Sequence, residues 1–223
     1  MRRVALFARP PSAGPVKTRL SPALPPAAAA RLYRGMLDDA LAALGAAHAD
    51  QRFVYWATDA AEVGVAPNRF EPRRQVSGNL GVRLVAAFSE LLRGPEDRVA
   101  IFGADSPALT ASHLAAALEA LERADLALAP SRDGGFTIIA LRRAVPELFV
   151  EIPWSSAKVY ESTRDRARSL GLTLAVLDAL DDVDTPDDLC RLLAWAVTGD
   201  AARAPATFAA LRELALMPQT SRA

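Results

Sequence analysis

The chain has 223 residues, enough for one sizeable α/β domain, and no Ser/Gly-rich linker divides it. Lys and Arg (26) balance Asp and Glu (26), which removes the broad basic field that nucleic acid or an anionic membrane surface needs, so phosphate recognition has to be local. The lone Cys190 excludes an internal disulfide, His48 and His113 are too isolated for a histidine metal cluster, and no apolar run approaches the roughly 20 residues of a membrane span.

Arg2 to Ala8, apolar from Val4 onwards, reads as a central strand of a parallel sheet, entered with no signal-peptide core before it, and a cytoplasmic protein is expected. The loop that follows runs from Arg9 to Pro22. Six of the 16 prolines fall within the first 26 residues, so this loop is stiff and non-helical. It carries Lys17, Thr18 and Arg19 in a row. A compact cation, a hydroxyl and a planar guanidinium fork beside exposed backbone amides suit a polyphosphate, although the glycine spacing of a Walker loop is absent.

From Pro26 to Ala47 the spacing of Leu32, Tyr33, Met36, Leu37, Ala40, Leu41 and Leu44 predicts a helix with one buried face. Gln51 to Thr58 reads as a second strand, with Asp59 either a strand-end acid or a helix cap. Arg73 to Val76 reads as a short strand, and the glycine-rich turn Ser77 to Gly81 opens a helix over Val82 to Leu92.

Val99 to Phe102 is an apolar run that ends in Gly103-Ala104-Asp105-Ser106-Pro107. The pattern predicts a strand buried on both faces with Asp105 at its carboxyl end, where an open parallel sheet binds ligands. Thr110 is placed to cap a helix over Ala111 to Glu122. Strands are expected at Asp125 to Pro130 and Phe136 to Leu141, joined through Asp133-Gly134-Gly135. That junction reads as a hairpin turn, or as paired glycines that let a ligand approach the backbone while Asp133 meets its hydroxyls. Trp154, before a helix over Ser156 to Leu170, lines a pocket or packs.

After a strand near Leu172 to Leu177 comes Asp182-Val183-Asp184-Thr185-Pro186-Asp187-Asp188, a helix start with Thr185 at the cap and Pro186 in first position. Capping does not account for Asp182 and Asp184. Paired at a strand end with nothing positive between them they would repel, and a divalent cation would relieve this. On that reading, Asp105→Asn or Asp184→Asn leaves the ligand-free stability unchanged or raised. The helix runs to about Val197, with Cys190 expected to be a small buried hydrophobe, and Pro205 to Leu216 makes a last helix.

Six segments in order, Pro15 to Leu20, Gly78 to Leu84, Gly103 to Thr110, Asp133 to Phe136, Trp154-Ser155 and Asp182 to Leu189, carry a family resemblance over residues 4 to about 193. The chain resembles the GT-A-type glycosyltransferase-like proteins of bacteria, the radical-SAM/selenodomain-associated transferases, which are similar to nucleotide-diphospho-sugar transferases. Lys17 to Leu20 also looks like the start of 2-phospho-lactate guanylyltransferases. The resemblance implies a single Rossmann-like α/β domain, a mixed and mostly parallel sheet with helices on both faces, closed by a C-terminal helix and tail over 200–223.

It also implies that Lys17, Arg19 and Asp105 serve catalysis and that Pro10, Gly14, Lys17, Thr18, Arg19, Gly78 and Ala104 bind the nucleotide. Asp133, Gly134, Gly135 and Trp154 would face the sugar or acceptor, and Asp105 and Asp184 would hold Mg²⁺ or Mn²⁺. Asn79 stands where the family usually has an acid, and Phe136 where tyrosine is common. The leading expectation is a metal-dependent glycosyltransferase that takes a nucleotide-sugar and a small-molecule acceptor. The second is a nucleotidyltransferase using a nucleoside triphosphate and releasing pyrophosphate, and the third a nucleotide-binding protein without turnover. Neither nucleic acid nor a membrane is an expected partner, and a homodimer is allowed.

Overall fold

A computed structural model describes residues 1–10, 16–57, 70–198 and 200–217, with the backbone alone for 196–198, 200 and 201. Its seven strands are β1 (Arg2–Ala8), β2 (Gln51–Trp56), β3 (Glu71–Arg74), β4 (Arg98–Gly103), β5 (Leu126–Pro130), β6 (Phe136–Leu141) and β7 (Leu174–Val176). They form one sheet in the order β3-β2-β1-β4-β6-β5-β7, in which β6 alone runs antiparallel to its neighbours. The order reverses direction between β1 and β4, and the crevice at such a switch point is where this architecture binds ligands.

Alternation along β1 shows why the sheet needs cover on both sides. Val4 and Leu6 enter one apolar cluster and Ala5 the other. Helices α1 (Pro26–Ala46) and α3 (Ala111–Ala120) cover the first face through Tyr33, Leu37, Leu44, Leu114 and Leu118. Helices α2 (Leu80–Leu91) and α4 (Val159–Ser169) cover the second through Leu84, Phe88 and Ala167. This is the expected Rossmann-like α/β domain.

Helices α5 (Pro186–Thr198) and α6 (Pro205–Glu213) add a third cluster against α1, with Leu32, Met36, Leu189, Leu192 and Phe208. The buried Asp39 of α1 accepts hydrogen bonds from the Ala206 N–H (2.9 Å), the Thr207 N–H (2.8 Å) and the Thr207 hydroxyl (2.6 Å), and so caps the start of α6. No described helix is long and apolar enough to cross a membrane.

Several boundaries differ from the expected ones for local reasons. Helix α2 begins at Leu80 rather than Val82 because the Asn79 carboxamide accepts from the Val82 N–H (3.1 Å), the cap an aspartate would otherwise supply. Helix α4 begins three residues late, at Val159, after Ser155 takes a left-handed conformation (φ 67°). β3 lies two residues earlier than the pattern suggested, β2 is described only to Trp56, and Thr58 and Asp59 fall outside the described residues. Cys190 is exposed rather than buried: Leu189 and Leu192 fill the inner face of α5, and Cys190, one step round the helix, faces out.

Candidate functional site at the switch point

Three segments converge beyond the carboxyl ends of β1 and β4. Val16 and Leu20 bury themselves in different clusters and pin the segment between them, a short 3₁₀ turn over Thr18–Leu20 entered through Lys17 in a left-handed conformation (φ 54°, ψ 41°). Asp105 follows β4, and the Val183 N–H donates to its carbonyl (2.9 Å) while the Ser106 hydroxyl donates to the Asp181 carbonyl (2.7 Å). Those two bonds lay residues 181–183 along the β4 loop and deliver Asp184 to Asp105.

Between these two acids stands the Lys17 ammonium, 2.6 Å from Asp105 Oδ1 and 2.5 Å from Asp184 Oδ1. The Lys17 side chain is only 5% exposed. Burial would lower its pKa, but the two carboxylates outweigh burial and raise it above the ordinary value. The cation therefore lies between Asp105 and Asp184, and not between Asp182 and Asp184, the pair expected to repel. Asp188 fixes the backbone here: its carboxylate accepts from the Asp184 N–H (3.1 Å), the Thr185 N–H (2.7 Å) and the Thr185 hydroxyl (2.7 Å). Burial, then Asp133 and Asp184, push the Asp182 carboxyl up to about 7, against a smaller opposing effect of Lys17.

A cavity of about 470 Å³ opens at this point. Arg9, Lys17, Arg19 and Arg83 bring four cations to its described lining, against the carboxylates of Asp105 and Asp184. Arg9 is held by Tyr33, whose buried hydroxyl accepts from the Arg9 N–H (2.8 Å) and donates to its carbonyl (2.9 Å). Burial, followed by the Asp105 charge, pushes that phenol up to about 12. Gln75, Leu80 and Thr137 complete features of the lining that the sequence pattern did not single out. Gln75 and Arg83 follow or flank a glycine turn, a weak signal, and only the sheet order brings them to the switch point.

Of the residues expected in the site, Lys17, Thr18, Arg19, Ala104, Asp105 and Asp184 do come together around this cavity. Gly14 lies outside the described residues. Pro10 is buried beside the end of β1 and is not part of the lining. Gly78 also stands back, in a left-handed turn (φ 121°) whose carbonyl accepts from Arg83 Nε (2.9 Å), so it acts on the cavity through Arg83. Trp154 packs: it stacks near Phe149, meets Phe136 edge-on, and lies so close to Gly81 that a Cβ there would come within 2.7 Å of its indole nitrogen.

The Asp133-Gly134-Gly135 junction is the hairpin turn between β5 and β6, and the described cavity lining takes in Phe136 and Thr137 just after it but none of these three. Asp133 Oδ1 accepts from the Gly135 N–H (2.9 Å) and from the Ser131 hydroxyl. Gly134 has φ 86°, and a Cβ on it would sit 2.0 Å from the Ala157 carbonyl oxygen. Gly134→Ala should therefore destabilise the fold by about 3 kcal/mol or more in urea unfolding. Gly171→Ala, with φ 67° but open space around the new methyl, should cost only about 1 kcal/mol.

A family model described as "uncharacterized protein conserved in bacteria (DUF2064)" matches residues 35–156, more than half of the chain. The chain belongs to the DUF2064 family. The DUF2064 match takes in Asp105 but neither Lys17 nor Asp184. Similarities to curated proteins cover more of the chain. A phosphoenolpyruvate guanylyltransferase of Sphaerobacter thermophilus is 34% identical over 192 residues, covering 82% of this chain and 89% of that protein. A 2-phospho-L-lactate guanylyltransferase of Methanothermobacter thermautotrophicus is 29% identical over 185 residues, covering 79% and 78%. Among solved structures, a protein of Desulfovibrio desulfuricans G20 named for the nucleotide-diphospho-sugar transferases superposes with a TM-score of 0.85 at 30% identity, covering 95% of this chain and 94% of that one.

Proposed function

We propose that this DUF2064 protein is a nucleotidyltransferase that moves a nucleoside monophosphate, GMP by analogy with the named guanylyltransferases, onto the phosphate of a small phosphorylated acid. The observation that carries the proposal is the charge of the cavity lining, where, among the described residues, Arg9, Lys17 and Arg19 gather around the carboxylates of Asp105 and Asp184. Charge of that sign and density suits a triphosphate and a second anionic substrate together. A phosphate monoester also suits the site's acids. One oxygen of each of Asp105 and Asp184 is engaged by the Lys17 ammonium, so the site is not built around a free general base. An acceptor phosphate needs none, since its second pKa near 6 leaves it ionised at neutral pH.

Asp105 and Asp184 suit Mg²⁺ or Mn²⁺, because one oxygen of each converges on a single point already occupied by a cationic atom, and magnesium sites of this class use one or two carboxylates with phosphate oxygens. Such an ion, when bound, neutralises charge on the triphosphate. In the reaction an oxygen of the acceptor phosphate forms a bond to the α-phosphorus, the bond from that phosphorus to the α–β bridging oxygen breaks, and its electron pair leaves with pyrophosphate. Lys17 and Arg19 hold the departing pyrophosphate, Arg19 with its planar fork. The buried Val16 and Leu20 on either side keep these cations in place.

Sugar transfer, the leading expectation from the sequence, keeps one supporting observation, the likeness to the D. desulfuricans structure. The two reactions release different products. With Mg²⁺, GTP and 2-phospholactate, phosphoenolpyruvate or 3-phosphoglycerate, acceptor-dependent pyrophosphate release is expected, with a diphosphate-bridged product visible by ³¹P NMR. Conversion of a nucleotide-sugar to nucleoside diphosphate, with no pyrophosphate from any triphosphate, would overturn the proposal.

A further inference from the structure

We infer that Gln75 and Arg83 read the nucleobase and select guanine over adenine, an inference that rests on the nucleotidyl reading above. The strand order supplies the geometry. Lys17 and Asp105 mark the phosphate position beyond β1 and β4, whereas Gln75 directly follows β3, three strands along from β4 in the order β3-β2-β1-β4. Three spacings of about 4.8 Å put the end of β3 about 14 Å from the end of β4, a distance matched to a nucleotide laid across the strand ends with its phosphates at Lys17. The opposite side of β4, where Phe136 and Thr137 of β6 line the cavity, is left for the acceptor.

The chemistry at the β3 end is directional. The Gln75 backbone is fixed by its N–H to the Trp56 carbonyl (3.0 Å), and its side-chain amide donates to the Tyr55 carbonyl (2.8 Å). That bond occupies one amide donor and leaves Oε1 as the acceptor end of a lining side chain, where it accepts from Arg83 Nη1 (3.3 Å) and keeps a second lone pair. Arg83 is oriented in turn by Nε donating to the Gly78 carbonyl (2.9 Å) and Nη1 donating to Gln75, which leaves the remaining N–H groups of its fork as donors. An acceptor beside a pair of donors complements the N1–H of guanine next to its O6 and N7 acceptors. Adenine offers the reverse along its edge, an N1 acceptor beside N6 donors, and would oppose like to like at both residues. Leu80 and Ala57 give the base an apolar rest.

Calorimetric titration with GTP and ATP in the presence of Mg²⁺ tests this. The wild-type chain should bind GTP at least 100-fold more tightly than ATP. Gln75→Leu and Arg83→Gln should each weaken GTP binding about 10- to 100-fold and change ATP binding less than threefold. Gln75→Glu keeps an acceptor oxygen and should retain most of the preference. If the wild-type chain prefers GTP and both Gln75→Leu and Arg83→Gln keep that ratio, the assignment of the base site is wrong while the nucleotidyl reading stands. A wild-type chain that takes up neither triphosphate overturns both.

Discussion

Lys17→Met is expected to cut pyrophosphate release from GTP by about 100- to 1,000-fold, the effect of removing one charged donor from a transition state that develops charge on departing phosphate. The same substitution should leave the melting temperature without ligand within a few degrees of wild type. Asp105 and Asp184 are 50% and 36% exposed, so water takes over part of the role of the lost ammonium, and an apolar chain of similar shape fills the buried channel of the lysine stem. Mn²⁺ affinity, followed by the loss of the free-ion EPR signal without nucleotide, should rise in Lys17→Met, because the two carboxylates no longer have an internal cation. A variant with wild-type turnover would remove Lys17 from the chemistry, and a variant with unchanged Mn²⁺ affinity would remove Asp105 and Asp184 as the ion's ligands.

The paired substitution Asp105→Asn with Asp184→Asn should abolish turnover and, in addition, lower stability by about 3–5 kcal/mol, the cost of leaving a charge buried without its partner. For a chain of this length that corresponds to roughly 10 °C in Tm. Adding Lys17→Met to this pair should restore most of the lost stability while leaving the protein inactive, since the orphaned ammonium is then gone. Calorimetry without nucleotide reads both effects. The sign is opposite to the one drawn from the sequence, where removing an acid only relieves repulsion. A pair of asparagines that melts at or above wild type would mean that Lys17 finds solvent and that its ion pairs contribute little.

These two results depend on one lysine, and that lysine shows where sequence reading stops. The loop carrying Lys17, Thr18 and Arg19 stands out in the sequence as a candidate for phosphate because it combines prolines and cations after a strand. Its partner Asp184 lies 167 residues away, and nothing in either segment specifies that they meet. The meeting is produced by the Val183 N–H on the Asp105 carbonyl and by the Asp188 cap, hydrogen bonds between segments that follow different strands. Cys190 shows the same limit on a smaller scale. Its neighbours Leu189 and Leu192 are core residues, and only the helix rotation against α1 and α6 turns Cys190 outward.

By itself the sequence determined the elements and their order, since buried strands, helix stripes, caps and turns are signals local to a few residues. It also determined that Asp105 ends a strand and that cations follow the first one. Only the tertiary structure decided which of these ends adjoin. The sheet order put β3 and β6 on opposite sides of Lys17 and Asp105, drew Gln75, Arg83 and Arg9 into the cavity, and left Trp154, Gly134 and Gly135 as packing and turn residues. The physical reason is that strand order and long-range ion pairs are set by how whole faces bury against one another, a property of the assembled layers that no short window of sequence contains.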